Sequence, residues 1–158
     1  MANAVSTAGM LVKYCAEQTA GQRPTTGYTV IPGVKAIPEL WNEPNMLDST
    51  PLSATKNKTY IEGLGDNGGA IALTVNDEEL FRTAWGACVS AFEGLTGGKQ
   101  MWFEIAYQDG SNLESFYFPG QPLALGFGGA EVDSVLENNA NIAPQGDYLF
   151  AAASTTSA

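Results

Sequence analysis

The carboxylates Glu104, Glu114, Glu131, Asp133 and Glu137 all lie in the second half of the chain. Two carboxyl groups at the right separation can cleave a glycosidic bond, one as acid and the other as base or nucleophile. Trp102 and Tyr107 could stack on sugar rings beside them. No spacing in a sequence identifies such a pair, and strand carboxylates ordinarily face water while aromatics pack. The run Gly63-Leu-Gly-Asp-Asn-Gly-Gly69 resembles a phosphate-cradling loop only in its glycines. It lacks the Gly-Lys-Ser/Thr ending, and a strand follows where a helix should start. It also lacks the Asp-x-Asp-x-Asp-Gly order of a calcium loop. A turn needing positive φ angles is the simpler reading.

Other chemistries fall on residue types. The chain has 158 residues and no histidine, which removes the Ser-His-Asp triad, the Cys-His dyad and imidazole metal sites. Cys15 and Cys88 cannot supply a Cys₄ zinc site, and two cysteines do not make a disulfide scaffold. A pair of reduced, buried thiols is expected. The reading is of a chain that is not an enzyme and holds no cofactor or metal.

Seventeen acidic residues against seven basic ones give a net charge of −10 and a pI near 4.2. That balance argues against a protein that grips nucleic acid or an anionic membrane, because such binding needs Lys and Arg on phosphates. The excess is uneven: residues 1–99 carry −3, and residues 100–158 carry −7 with no base at all. Charged residues make up 15% of the chain, below the ~25% usual in soluble proteins. Neither a signal peptide nor a stretch long enough to span a bilayer is visible, so a soluble chain made in a cytoplasm is expected.

The elements that must carry these residues are mostly strands. Met10–Glu17 and Tyr28–Val34 read as short strands, the second interrupted by Pro32-Gly33. Lys56–Glu62 and Ala70–Val75 read as a pair joined by the glycine-rich turn, with Ile71, Leu73 and Val75 on one face. A helix is expected over 77–93, capped by Asn76 or Asp77. Leu80, Phe81, Ala84, Trp85, Cys88, Ala91, Phe92 and Leu95 recur at helical spacing, and Gly94 ends the run. Trp85 belongs to the core on this pattern.

Alternation resumes at Met101, Phe103, Ile105 and Tyr107, and Asp109-Gly110 marks a hairpin into Leu113–Phe118. Trp102 falls on the more polar face of its strand, as a contact residue would. A last strand is expected over Glu131–Glu137. The fold class is mainly β with one α-helix, a β-sandwich or partial barrel flanked by that helix.

Two segments fit a compact domain poorly. Residues 37–54 contain Pro38, Pro44 and Pro51, show no period, and are rich in apolar residues: Leu40, Trp41, Met46, Leu47 and Leu52. A long loop of this kind is usually functional. Trp41 is expected to anchor an interface rather than pack in its own domain. The other segment is the tail 146–158, which should lack order of its own. The expected layout is a domain over 1–145 with the long loop 37–54, then a C-terminal arm over 146–158.

The order of these features resembles the major tail tube proteins of long-tailed, siphovirus-type bacteriophages. The similarity begins with Met1-Ala-Asn-Ala-Val-Ser-Thr-Ala-Gly-Met10 and Leu11-Val-Lys-Tyr14. It continues through Pro44-Asn-Met-Leu-Asp48, Leu52-Ser53 and Tyr60-Ile-Glu-Gly-Leu-Gly-Asp66. The helix, the strand Lys99–Tyr107 and Val132-Asp-Ser-Val-Leu-Glu137 follow in the family's order, so the resemblance spans about residues 1–145. The chain departs from the pattern at Glu62, where many relatives have proline, in the glycine-rich stretch Gly120–Gly129, and in the tail.

The resemblance implies a structural virion protein of the tail, assembled in the host bacterial cytoplasm. Homohexameric rings would stack into a hollow tube, with strands of each subunit joining a continuous inner β-barrel and the helix outside. Terminator, tape measure and distal tail proteins would be partners, and DNA would pass without tight binding. Glu104, Glu114, Asp133 and Glu137 become candidates for the lumen wall, where carboxylates repel phosphate. Leu40, Trp41, Met46, Leu47 and Leu52 become candidates for contacts between rings. The alternative from another class is a carbohydrate-binding β-sandwich module using Trp41, Trp102 or Tyr107.

Overall fold

The computed structural model describes residues 10–41, 46–64, 69–109 and 112–153. Within these residues the strands are β1 (Leu11–Ala16), β2 (Thr29–Ile31), β3 (Val34–Ala36), β4 (Met46–Asp48), β5 (Tyr60–Glu62) and β6 (Ile71–Asn76). After the helix α1 (Glu79–Glu93) come β7 (Met101–Asp109), β8 (Asn112–Pro122), β9 (Glu137–Pro144) and β10 (Leu149–Ala152). The expectation of mainly β structure with one helix holds.

The main sheet runs β2-β1-β7-β8-β9-β6-β3, with β10 added alongside β8. Its two outermost strands are consecutive in the chain, joined by Pro32 and Gly33 alone. Three Cα steps span no more than ~11 Å, so the sheet must curl until its edges meet, which makes a half-barrel. Gly33 turns the corner at φ 79°. A Cβ there would come within 3.2 Å of Glu78 Oε1, and the Gly33 carbonyl accepts from the Asn76 N–H at 2.9 Å.

Inside the curl, alternate residues interdigitate with one face of the helix. Val12 on β1, Phe103 and Ile105 on β7, and Phe116 and Phe118 on β8 share the inner face through the registers Val12↔Ile105, Ile105↔Phe116 and Phe103↔Phe118. Ile71, Leu73 and Val75 of β6 join them, as their period of two predicts, and Ala140 and Ile142 of β9 complete the layer. From α1, Phe81, Trp85 and Cys88 are buried against it. The Trp85 indole N–H donates to the Leu123 carbonyl at 2.8 Å, and the Cys88 thiol lies 3.5 Å from Met101 Sδ. Burial pushes the Cys88 thiol up to about 12. Cys15 is only half-buried, and both cysteines are free.

Several expectations need correction. The helix begins at Glu79, two residues later than expected, and extended Glu78 is its N-cap without a side-chain cap bond. Asp77 is otherwise engaged: Arg82 Nε and Nη2 donate to its carboxylate at 2.5 and 2.6 Å. β5 pairs with β4 rather than with β6, through Met46↔Glu62, Leu47↔Ile61 and Asp48↔Tyr60. The expected loop 37–54 therefore supplies half of a separate β-hairpin, while residues 42–45 and 65–68 lie outside the described residues.

Residues 131–136 form a turn and extended loop instead of a strand, with Asp133 at φ 59°. The strand starts at Glu137 and runs to Pro144, its inward positions being Asn138, Ala140 and Ile142. The Asn138 amide is satisfied by donating to the Gly126 carbonyl at 2.7 Å. Of the tail expected to be an arm, residues 149–152 pair with β8 through Leu149↔Tyr117 to Ala152↔Glu114. Residues 1–9, 110–111 and 154–158, which include the N-terminal part of the resemblance, lie outside the described residues.

Candidate assembly surfaces

The β4–β5 hairpin presents apolar side chains on both of its faces. Met46, Leu47, Tyr60 and Ile61 are all exposed, as is Leu52 in its connection and Leu64 beyond it. Polar bonds keep this hairpin closed without any cover. The Ser49 N–H donates to the Thr59 carbonyl and the Thr59 N–H donates to Thr50 Oγ1, each at 2.9 Å. The Thr50 N–H caps the Asp48 carboxylate at 2.9 Å. Bonds from the Thr50 hydroxyl and amide hold that carboxyl below its usual range. A two-stranded hairpin in water is marginal on its own, and these side-chain bonds supply what a core does not.

The five candidates for contact between subunits thus divide. Met46, Leu47 and Leu52 are exposed on the hairpin. Leu40 and Trp41 are half-buried and pack against the main core. The expectation that Trp41 stays clear of its own domain is corrected. At φ 52° its backbone turns the indole back over β8. Its ring lies 6.1 Å from Phe116, 5.6 Å from Phe118 and 5.3 Å from Tyr148. Phe150 of β10 meets Phe116 edge-on at 5.0 Å. The root of the hairpin and the C-terminal strand therefore share one aromatic cluster.

Beside that cluster lies an apolar hollow of about 600 Å³, lined by Met10, Val34, Ile37, Leu40, Phe116 and Phe150 among others. Tyr107 also borders it. Leu40 belongs to both the hollow and the packed core, so it serves as wall rather than as a projecting contact.

The four wall candidates are not gathered into one array. Glu114 is exposed near the start of β8, opposite Tyr107. Asp133 is exposed in its turn, and Glu137 opens β9, where the Lys35 ammonium pairs with it at 2.5 Å. Glu137 and Glu131 border a second hollow, of about 450 Å³. Register puts Glu114 and Glu137 at opposite ends: β8 meets β9 at Gly120↔Pro144, and the two strands diverge from there.

Glu104 is the exception, and its place on an exposed wall is corrected: it is fully buried. It lies on the outer face of β7, directly across the ladders from Lys13 and Tyr117. The Tyr117 hydroxyl is 2.9 Å from Glu104 Oε2 and 2.7 Å from the Ala152 carbonyl. Residues 17–28 cover this outer face. Arg23 sits 4.2 Å over the Tyr117 ring, and the Tyr28 ring lies 5.8 Å from it.

Trp102, expected as a contact residue, is buried on the same outer face. Its indole N–H donates to Glu17 Oε2 at 2.8 Å. Glu17 Oε1 accepts from the Gln100 N–H at 2.8 Å and the Gly21 N–H at 3.2 Å. This carboxylate is 3% exposed and fastens the 17–22 turn to the start of β7. With Trp102 buried and Trp41 stacked, neither offers the open face that a sugar-binding platform needs.

Sequence reasoning missed Tyr60, Ile61 and Leu64 as exposed apolar residues, and also Phe127, Val132 and Val135 in the loop before β9. The signal for the first group was present: Tyr60 and Ile61 are adjacent apolar residues, and among the described residues their strand pairs with β4 alone, which covers neither of its faces.

No protein-family model and no curated protein matches this chain. Among solved structures it is similar to a chain in the cryo-EM structure of the anti-feeding prophage (AFP) baseplate, 6-fold symmetrised. The superposition has a TM-score of 0.64 at 14% identity and covers 96% of this chain and 98% of that one. The likeness is one of fold, and it extends over essentially the whole of both chains. No helix among the described residues is long and apolar enough to cross a membrane.

Proposed function

We propose that the chain is a structural subunit of a phage or phage-derived tail, six copies forming a ring and rings stacking into a hollow tube. The observation that carries the reading is the end-to-end fold match to a component of a six-fold symmetrised prophage baseplate. Other tail proteins, including those that terminate the tube, set its length and join it to the tip, would be its partners.

The physics of the surface supports the same reading. Charged residues are few, yet Met46, Leu47, Tyr60, Ile61 and Leu52 stand exposed. Such a patch on a free monomer is an aggregation liability, and on a building block it is a contact. The hairpin is the part of each copy that reaches the next ring, and Leu40 and Trp41 hold its root. The net charge of −10 lets DNA pass, since a wall of carboxylates repels phosphate instead of releasing counterions to bind it. Glu114, Asp133 and Glu137 remain the wall residues of this reading, and Glu104 leaves the set.

Negative-stain microscopy of the purified chain, alongside light scattering, tests the proposal. Rings and striated tubes are expected, together with loss of the tubes when residues 46–62 are replaced by a short Gly/Ser linker. A chain that stays monomeric at high concentration, or tubes that persist without the hairpin, would overturn it.

A further inference from the structure

Two exposed apolar surfaces are rooted at opposite ends of one strand. Both legs of the hairpin belong to the Ile71 end of β6. β3 runs antiparallel to β6 and leaves it beyond Thr74, and the chain returns from the hairpin into Ile71. The loop 123–136 belongs to the other end, where Asn76 lies opposite Glu137 and the Asp77 N–H donates to the Leu136 carbonyl at 2.9 Å. The length of the strand, roughly 17 Å, separates the two roots.

The loop is fixed from beneath. Its Leu123 carbonyl accepts from the Trp85 indole at 2.8 Å, its Gly126 carbonyl accepts from the Asn138 amide at 2.7 Å, and Leu125 packs on the core. Phe127, Val132 and Val135 are left exposed. Gly128, Glu131, Ser134 and Val135 are among the residues lining the hollow of about 450 Å³. The surface is thus held in shape before any partner arrives, which lowers the ordering cost of binding.

The two surfaces match in character. Leu52 and Val132, one on each, are the most exposed large apolar side chains among the described residues. Residues 49–59, which join β4 to β5, carry Lys56 and Lys58 and no acid. Residues 123–136 carry Glu131 and Asp133 and no base. Lys56, Lys58 and Glu131 are exposed, and none has an ion pair among the described residues. Two hairpins set against each other would oppose lysine to lysine, whereas hairpin against loop opposes unlike charges.

We propose that the hairpin of one copy docks on the 123–136 loop of the next, with Leu52 entering the hollow and Lys56 and Lys58 facing Glu131. The proposal rests on the proposed function in taking the hairpin as a contact between copies, and it names the surface that receives it. Asp133, given to the wall above, is not needed for the pairing. A patch at one end that fits a different patch at the other makes a heterologous contact. Each copy that docks then leaves a loop or a hairpin free for the next, where a self-complementary contact would stop at two.

Charge exchange on the full chain tests the pairing. Lys56→Glu with Lys58→Glu, and separately Glu131→Lys, each set like charges face to face, so the concentration needed for assembly should rise at least about tenfold. Glu131→Lys also brings the net charge of −10 closer to zero, so general repulsion between copies predicts the opposite sign. All three changes in one chain restore the attraction, and the concentration should return to within about threefold of the parent. Thiol cross-linking reads the same contact without tubes. Leu52→Cys and Val135→Cys chains are mixed and oxidised, and peptide mapping should find a disulfide joining the two positions. Tubes that form without the mixed disulfide, or whose loss the triple change does not restore, would overturn this contact and leave the proposed function standing. A mixed disulfide in a chain that makes no tubes would do the reverse. Neither tubes nor the mixed disulfide would sink both.

Discussion

Trp41 and Tyr148 stack with ring centroids 5.3 Å apart and 29° between their planes, although 107 positions separate them in the chain. One belongs to the segment that leads into the exposed hairpin, the other to the segment that leads into the last strand. Their contact ties the two peripheral parts of the molecule to each other across Phe116 and Phe118. Trp41→Ala removes three ring contacts from a half-buried site. A loss of about 2 kcal/mol is expected, below the 3–5 kcal/mol of a fully buried aromatic. Thermal unfolding should fall by about 4–8 °C, and a change under a degree would show that the cluster adds nothing.

Leu47→Glu separates assembly from folding. The side chain is exposed on the hairpin, so the unfolding transition should stay within about 0.5 kcal/mol of the parent. Under the proposed function a charge at this position abolishes tubes. Light scattering and denaturant titration on the same sample read both quantities, and intact tubes would exclude Leu47 from the contact.

Glu17→Gln tests the buried clasp. The carboxylate accepts from Gly21, Gln100 and Trp102. A carboxamide keeps one acceptor oxygen and turns an NH₂ group toward donors. A loss of about 2–3 kcal/mol is expected from urea unfolding. Trp102→Phe leaves one carboxylate lone pair unused and should cost less. The reverse order would mean that packing of the indole, not its hydrogen bond, holds this face.

Gly126 and Gly128, which flank Phe127 directly, give a sharp contrast. A Cβ on Gly128 would lie 2.2 Å from the Glu137 carbonyl oxygen and 2.9 Å from Asn138 Cα, both backbone atoms that cannot swing aside. Gly126 has nothing within 4 Å of the same position. Gly128→Ala should therefore cost more than about 2 kcal/mol, and Gly126→Ala less than about 0.5 kcal/mol. Equal effects in calorimetry would refute the close approach of this loop to β9.

Thiol labelling distinguishes the cysteines. Cys88 is fully buried and its thiol is pushed up to about 12, whereas Cys15 is half-buried and raised less. At neutral pH a maleimide should modify Cys15 slowly and Cys88 only after unfolding, because the thiolate is the nucleophile. Raising the pH should speed the first reaction well before the second. Peptide mapping reads both, and early modification of Cys88 would contradict its burial.

Much of this fold was legible wherever one element buries one face. The period of Phe81, Trp85 and Cys88 marked the helix, and Met101, Phe103 and Ile105 marked β7, because burial repeats at the period of the element. β9 escaped notice because its inward positions include Asn138 and Ala140, and Asn138 is tolerated only through a bond to Gly126 that no local pattern announces. β10 has four residues, and its partner lies more than thirty positions earlier. The surfaces were harder to read. Glu104 and Trp102 looked exposed from alternation alone, yet a segment from residues 17–28 covers that face. Trp102 finds its acceptor 85 positions away. The hairpin's apolar content was visible in Met46 and Leu47, but its partner strand was assigned to the wrong neighbour, since Ala70–Val75 is the better strand by pattern.

The two-residue link at Pro32-Gly33 also bears on how the protein is made. β1 takes its place beside β7, with Leu11 opposite Ala106, and β3 beside β6, which itself needs β9. β9 (Glu137–Pro144) is the strand that joins β8 to β6, so a ribosome must release the chain through Pro144 before the curled sheet can close. Pairings so distant in sequence close late and together. An unfinished chain cannot display the closed half-barrel, so truncated products are excluded from any assembly that recognises it.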